Sequence, residues 1–303
     1  MISIIGSGRV GSSIAFLCAA SGLDDILLVN RTKDKAIGEA LDISNTIPKN
    51  SRISIHGTDD FSKMINSKII VITASTGVYL KSRTEMIGAQ TQMIKKIALQ
   101  VKHYCHDTIV LMVSNPLDVL TYFFQKETGF SKTKVIGIAA SLDSSRFRYL
   151  LSEKLGITQS EIFNALVLGE HGDSMVPVFS HTKIHGKKAL ELLNSNQQKS
   201  ISIGVRDYWK SLRNFKSRSQ FGIAKNTFDV ISAILQNNEL QIPASVLLEG
   251  EYGEYDVCMG VPIIINKHGI SKIQEIELNE YENKSLKISA NIIRNYINSV
   301  TLP

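Results

Sequence analysis

The sequence predicts an α/β protein: a doubly wound parallel sheet over residues 1–140, followed by a mixed α+β unit over residues 141–303. Three observations carry that expectation. Short, continuous apolar runs alternate with helix-period stretches through the first 140 residues, the alternation then gives way to long helices and clustered strands, and a glycine-rich turn sits between the first run and the first helix. Strands that are apolar at every position, separated by helices, imply a parallel sheet covered on both faces.

Strands are expected at Ile2–Ile5, Ile26–Val29, Ile53–His56, Ile69–Thr73, Thr108–Val113 and Lys134–Ile138, with helices over Val10–Ala20, Thr32–Ile43 and Glu85–Tyr104. The second unit opens with a helix around Ser144–Leu155 and a strand at Asn164–Leu168. Helical stretches follow over Gln197–Lys216 and Phe221–Gln236, then strands at Ser245–Leu248, Val257–Val261 and Ile263–Ile265. The amphipathic stretch Glu280–Val300 closes the chain.

Composition excludes several classes. With 303 residues, 43% apolar and 20% charged, the chain can bury a core and is not disordered. Its longest apolar runs, such as Ile14–Ala20, fall far short of the ~18 residues a membrane helix needs. Met1 leads at once into the first strand without a basic leader, and Cys18, Cys105 and Cys258 are odd in number and scattered. A cytoplasmic protein without disulfides or metal is expected. The net charge of +6 speaks to solubility and steering.

Two further segments suggest other ligands. His103-Tyr104-Cys105-His106 offers three possible metal ligands but lacks a second cluster, and reads as a helix end favouring imidazolium. In Arg206–Lys216, Arg206, Lys210 and Arg213 recur at helical spacing, with Tyr208, Leu212 and Phe215 as the opposite, apolar-facing set. A solvated helix face explains this pattern without nucleic acid.

The turn Gly6-Ser7-Gly8-Arg9-Val10-Gly11 follows a strand and opens a helix, the context that makes G-x-G-x-x-G a Rossmann dinucleotide site. Gly6 permits the tight turn, Gly8 lets the pyrophosphate approach the backbone, and Gly11 lets helix and sheet pack closely. Free N–H groups and the helix dipole then hold the phosphates. The second strand ends in Asn30-Arg31-Thr32, where an acidic residue usually accepts from the adenosine ribose. Asn30 removes the repulsion a carboxylate would exert on a 2′-phosphate, and Arg31 can pair with that phosphate. The cofactor is therefore expected to be NAD or NADP, the charge argument favouring NADP. The alternative is that Asn30 bonds the ribose of NADH while Arg31 points to solvent.

Three more motifs follow: Val113-Ser114-Asn115-Pro116-Leu117-Asp118, Leu142-Asp143-Ser144-Ser145-Arg146-Phe147-Arg148, and Gly169-Glu170-His171-Gly172-Asp173-Ser174. With the glycine turn, and with Tyr252-Gly253 and Asp256 leading into Gly260-Val261-Pro262, the chain resembles the lactate/malate dehydrogenase family, most of all its lactate-dehydrogenase-like malate dehydrogenases. The resemblance runs from Met1 to the C-terminal helix. It implies reversible hydride transfer between the nicotinamide and oxaloacetate or malate, a tricarboxylic acid cycle reaction, with lactate or another 2-hydroxy acid as the alternative. A dinucleotide-binding sensor without turnover is the alternative of another class. The family also implies a homotetramer or homodimer, with Val10–Ala20 and Ser144–Leu155 as candidate contact helices.

Roles follow from chemistry beside the resemblance. His171 is the natural proton donor to the carbonyl, Asp143 accepts from its other ring nitrogen, and Arg146 grips the substrate carboxylate with its planar fork. Asn115, at a strand end, bonds the substrate oxygen. By resemblance, Arg9, Val10, Thr73, Ala74, Val113 and Asn115 also border the dinucleotide, and Ser219 borders the substrate pocket. Asp118 and Asp173 read as local structural partners in their turns. The family's substrate loop carries two arginines in malate enzymes. Arg83 fits the one that polarises the carbonyl, but Gly77, Val78 and Tyr79 stand where the specificity arginine is expected, and the glutamine of a lactate enzyme is missing as well. Lys81 and Arg218 are the cations that could replace it.

Overall fold

The computed structural model describes residues 1–77 and 83–301, the side chains of residues 83–85 and 301 excepted. The first half alternates strand and helix: β1 (Ile2–Ile5), α1 (Arg9–Ala20), β2 (Ile26–Val29), α2 (Lys33–Ser44), β3 (Ile55–Thr58), β4 (Ile69–Ile72), α3 (Arg83–Tyr104), β5 (Ile109–Met112), α4 (Leu117–Thr128) and β6 (Val135–Gly137). The strands lie parallel in the order β3-β2-β1-β4-β5-β6. The order reverses between β1 and β4, and the crevice beyond the carboxyl ends of those two strands is where such sheets hold ligands. Successive side chains of β1 point to opposite faces. Ile2 and Ile4 belong to the core cluster that holds Ile14 and Cys18 of α1, while Ile5 belongs to the one that holds Ile94 and Val101 of α3.

The second half contains α5 (Ala140–Leu155), the two-residue strands β7 (Ile162–Phe163), β8 (Val167–Leu168), β9 (Val176–Pro177), β10 (Lys183–Ile184) and β11 (Lys187–Lys188), then α6 (Ala189–Leu192), α7 (Ser195–Arg213) and α8 (Phe221–Leu235). An antiparallel meander of β12 (Leu240–Glu249), β13 (Tyr255–Asn266) and β14 (Gly269–Ile273) precedes the last helix, α9 (Glu280–Thr301). The meander is not a separate sheet. Ser245 of β12 pairs with Gly137 of β6, giving one sheet of nine strands. Gly137 makes that junction possible: a Cβ there would stand 2.7 Å from Thr121 Oγ1 and 2.8 Å from Ser245 Cβ.

Several element boundaries differ from the sequence expectation. The two strands expected at Val257–Val261 and Ile263–Ile265 are a single strand, β13, which runs through Pro262. Pro262 stands opposite Pro243 of β12, so both missing N–H donors fall at one register pair. The strand expected at Asn164–Leu168 shortens to Val167–Leu168, because Asn164 adopts φ +54° and breaks the extended run. Within the chain α1 packs on α8 and α5 on α7.

Cys18, Cys105 and Cys258 are free and buried, and burial pushes the Cys18 thiol up to about 12 and that of Cys105 to about 11. Cys105 donates to the Met64 carbonyl at 3.3 Å, and no group of three metal-ligating side chains occurs among the described residues. Among these residues no helix is long and apolar enough to cross a membrane.

Candidate active site

The glycine turn closes at the switch point. Gly6 adopts φ +107°, and a Cβ on it would come within 2.9 Å of the Ala74 nitrogen. A Cβ on Gly11 would lie 1.9 Å from the Gly6 carbonyl oxygen, so α1 can start here only with glycine. Gly8, by contrast, would direct a Cβ into space with no atom within 4 Å. Thr73 fastens the turn from the next strand, donating to the Gly6 carbonyl at 2.7 Å. Among the described residues no side chain caps α1, and no acid occupies its first turn, so its leading N–H groups and positive dipole end face the crevice. Room at Gly8 and free donors behind it fit a dinucleotide pyrophosphate.

Gly6, the stretch Gly8 to Gly11, Asn30 and Arg31 after β2, and Thr73 and Ala74 after β4 line one continuous crevice. The Asn30 amide is occupied at both ends: its nitrogen donates to Ser7 Oγ at 2.8 Å and its oxygen accepts from the Thr32 amide at 3.0 Å. Arg31 reaches across the mouth to within 3.5 Å of the Thr76 carbonyl, and Lys35 borders the same space.

A second cleft adjoins the first, sharing Thr73 and Ala74 with it. Its floor holds a chain of charged groups. His171 Nδ1 lies 2.6 Å from Asp143 Oδ2, and the other Asp143 oxygen accepts from Arg146 Nη1 at 3.0 Å. Asp143 and Arg146 are three residues apart on α5, hence on one helix face. The side chains are 1%, 10% and 18% exposed for Asp143, Arg146 and His171, so the carboxylate is sealed while the imidazole keeps an opening to the cleft. Burial alone would pull the His171 pKa down. The Asp143 charge and its hydrogen bond outweigh that, with Asp118 assisting and Arg146 opposing, and hold it above the ordinary value. Asn115 and Val113, beyond β5, border the same cleft, as does Ser219 between α7 and α8. Arg83 begins α3, its side chain lying outside the described residues, as do Val78, Tyr79 and Lys81.

Three features depart from the sequence reading. Asp118, expected to serve its own turn, reaches across the fold to accept the His171 backbone N–H at 2.7 Å. A contact spanning 53 residues has no local signal. The buried Gln90 of α3 donates to Ser75 Oγ at 3.3 Å and Thr76 Oγ1 at 3.1 Å, tethering the segment where the substrate loop begins. The basic helix also differs. Phe215 is 91% exposed, not apolar-facing, while Arg206, Leu212 and Arg213 border the catalytic cleft. The helix is anchored further back by Ile201 and Val205, so its last turns project over the site.

Burial pushes the Asp118 carboxyl up to about 6, against the His171 amide, which favours its charged form. A carboxyl raised in the fold binds more protons than in the unfolded chain between pH of about 4 and 6, so its contribution to stability falls as pH rises through that window. Asp118→Asn keeps an acceptor for the His171 amide and cannot ionise. Its stability relative to wild type is therefore expected to rise from pH of about 4 to about 6 and to level off above. Parallel denaturant-unfolding curves for the two proteins across that range would refute the shift.

Comparison with known proteins agrees with this geometry. Residues 1–137 match the family model of the lactate/malate dehydrogenase NAD binding domain, and residues 140–302 that of the lactate/malate dehydrogenase alpha/beta C-terminal domain. The chain is 33% identical to L-lactate dehydrogenase 2 of Lactococcus lactis, covering 99% of this chain and 98% of that one. It is also 33% identical to a malate dehydrogenase of Staphylococcus epidermidis, covering 99% and 97%. The structure of the Cryptosporidium parvum lactate dehydrogenase, complexed with lactic acid and nicotinamide adenine dinucleotide, superimposes with a TM-score of 0.94 at 31% identity, covering 100% of this chain and 98% of that one. The glycine crevice and the Asp143–His171 pair therefore sit in a chain that belongs to the lactate/malate dehydrogenase family of NAD-dependent 2-hydroxy-acid dehydrogenases.

Proposed function

We propose that the protein is a malate dehydrogenase, interconverting oxaloacetate and malate with His171 as the acid and base, and that it accepts NADPH. The crevice lined by Gly6, Gly8, Gly11 and Asn30 would hold the dinucleotide, whose nicotinamide would supply or take up the hydride. The free ring nitrogen of His171 passes the proton to the carbonyl oxygen. Asp143 keeps the Nδ1 proton in place and stabilises the imidazolium that carries the charge. Arg146 binds the carboxylate beside the carbonyl through its fork, Asn115 bonds the substrate oxygen, and Arg83 polarises it.

The choice of a dicarboxylic substrate rests on one observation. Beyond Arg146, the catalytic cleft is bordered by Arg206, Arg213 and Arg218, against a single cleft-lining carboxylate among the described residues, Asp173. A monocarboxylic 2-oxo acid needs one of those cations, and a dicarboxylic acid uses a second. Relatives of equal identity carry lactate and malate names, so the chemistry of the cleft has to decide. Initial rates with oxaloacetate and pyruvate, each crossed with NADH and NADPH, test the reading. Higher kcat/KM for oxaloacetate is expected. Preference for pyruvate would reject it, and absence of turnover with every pair would favour a dinucleotide sensor.

NADPH use is supported by the neutral Asn30 and by the two cations, Arg31 and Lys35, around it. Charge-assisted bonds to a phosphate contribute about 1.5–3 kcal/mol, roughly a 10- to 150-fold effect. Arg31→Ala is accordingly expected to lower the NADPH-to-NADH ratio of kcat/KM by about tenfold or more. A wild-type enzyme strongly preferring NADH, or a ratio unmoved by the substitution, would defeat this part of the proposal.

A further inference from the structure

One side of α7 turns toward the catalytic cleft. Arg206, Trp209 and Arg213, spaced three and four residues apart, all border it. Two of the helix's contacts with α5 lie close to the cleft wall. Gly204 leaves room for Leu150, whose Cδ1 would lie 3.1 Å from a Cβ there, and the Arg146 guanidinium sits 5.1 Å from the centre of the Tyr208 ring. The second contact joins the carboxylate-binding arginine of one wall to the helix that forms the next.

The two arginines of α7 are not equivalent. The Arg213 guanidinium lies 4.6 Å from the Trp209 ring centre, and Arg213 borders the dinucleotide crevice as well as the catalytic cleft. Of the two clefts Arg206 borders the catalytic one, and its Nε is sealed from solvent without a hydrogen-bond partner among the described residues. Its sequence neighbour Asp207 does not neutralise it, since that carboxylate is 2.7 Å from Lys210 Nζ. Sealed within the fold, that Nε is not the group an anion would meet; the other guanidinium N–H groups are the donors Arg206 can offer to an anion in the cleft it borders.

Resting on the dicarboxylate reading above, we infer that Arg206 receives the distal carboxylate of the 2-oxo acid, as Arg146 receives the one beside the carbonyl. The planar fork suits a carboxylate, and its fixed place on a packed helix makes the charge part of the scaffold rather than of the substrate loop. That placement accounts for selectivity without the loop arginine. Pyruvate has no second carboxylate to offer the Arg206 fork, and a site built to pair a polar group rejects the analogue lacking it.

The test uses the full-length protein with saturating cofactor, comparing wild type, Arg206→Gln and Arg206→Lys on oxaloacetate and pyruvate. Arg206→Gln is expected to lower the oxaloacetate-to-pyruvate ratio of kcat/KM by about tenfold or more, chiefly through the oxaloacetate KM. Arg206→Lys keeps the charge but loses the fork, so an intermediate ratio is expected, and this variant decides the matter if Arg206→Gln does not fold. Cofactor binding, followed by nicotinamide fluorescence, separates a lost contact from a lost fold. A wild type that prefers oxaloacetate together with a ratio unmoved in the variants overturns the Arg206 assignment and leaves the malate reading standing. A wild type that prefers pyruvate overturns both.

Discussion

His171→Ala is expected to lower kcat for 2-oxo-acid reduction by about 10³-fold while changing the cofactor Kd by no more than about twofold. The two halves of this result come from different parts of the fold. The dinucleotide crevice is built from the ends of β1, β2 and β4, and His171 does not line it. The proton, however, has one well-placed source. His171 is joined at 2.6 Å to a carboxylate that is 1% exposed, and Asp143 cannot itself reach the cleft with a proton. Removing the imidazole leaves Asp143 facing Arg146 alone, with no acid at the carbonyl. Positioned acid–base groups contribute roughly 10²–10⁴-fold, so the loss belongs in that range. Stopped-flow single turnovers with preloaded cofactor check it directly. A kcat within about tenfold of wild type would reject His171 as the proton donor, and a weakened cofactor Kd would show that the substitution had disturbed the sheet instead.

How much of this site could be read from the sequence depends on the range of each contact. The parallel strands were legible because each is buried on both faces, so that Ile2–Ile5 and Ile69–Ile72 are apolar at every position or nearly so. The shared helix face of Asp143 and Arg146 is legible as well from their spacing of three residues, whereas the ion pair between them is seen only in the fold. The partners of His171 show where such reading ends. Asp143, 28 residues away, belongs to a recognisable motif, whereas nothing in the sequence links Asp118, 53 residues away, to anything beyond its own turn. Its real partner is a backbone amide, which every residue but proline possesses and which therefore leaves no mark in a sequence. The same holds for α7. Helical spacing identified Arg206 and Arg213 as sharing a face, but which neighbour that face meets is decided by the anchoring of Ile201 and Val205. Pro262 marks a third limit, since a residue that usually ends a strand is carried inside one when its partner across the ladder is also proline.

Arg146→Ala is expected to raise the substrate KM by about 10²-fold, in line with the 2–5 kcal/mol typically lost when one partner of a buried, hydrogen-bonded charge pair is truncated. The substitution has a second consequence, carried through Asp143. In the wild type, one Asp143 oxygen serves His171 and the other accepts from Arg146, whose positive charge works against protonation of the imidazole. Without that guanidinium the full Asp143 charge acts on His171, whose already raised pKa climbs further. Reduction requires the imidazolium, so its rate declines as pH rises through the His171 pKa, and in Arg146→Ala that decline moves to higher pH. Asp143→Asn acts in the opposite sense: it removes the charge that outweighs burial, the imidazole pKa drops, and the decline moves to lower pH. Two substitutions three residues apart on α5, both lowering kcat/KM, should therefore displace the same limb of the pH profile in opposite directions. Profiles of kcat/KM for wild type and both variants measure this with one assay. Displacement in the same direction would mean that the titrating acid is not His171, on which Asp143 and Arg146 act with opposite signs.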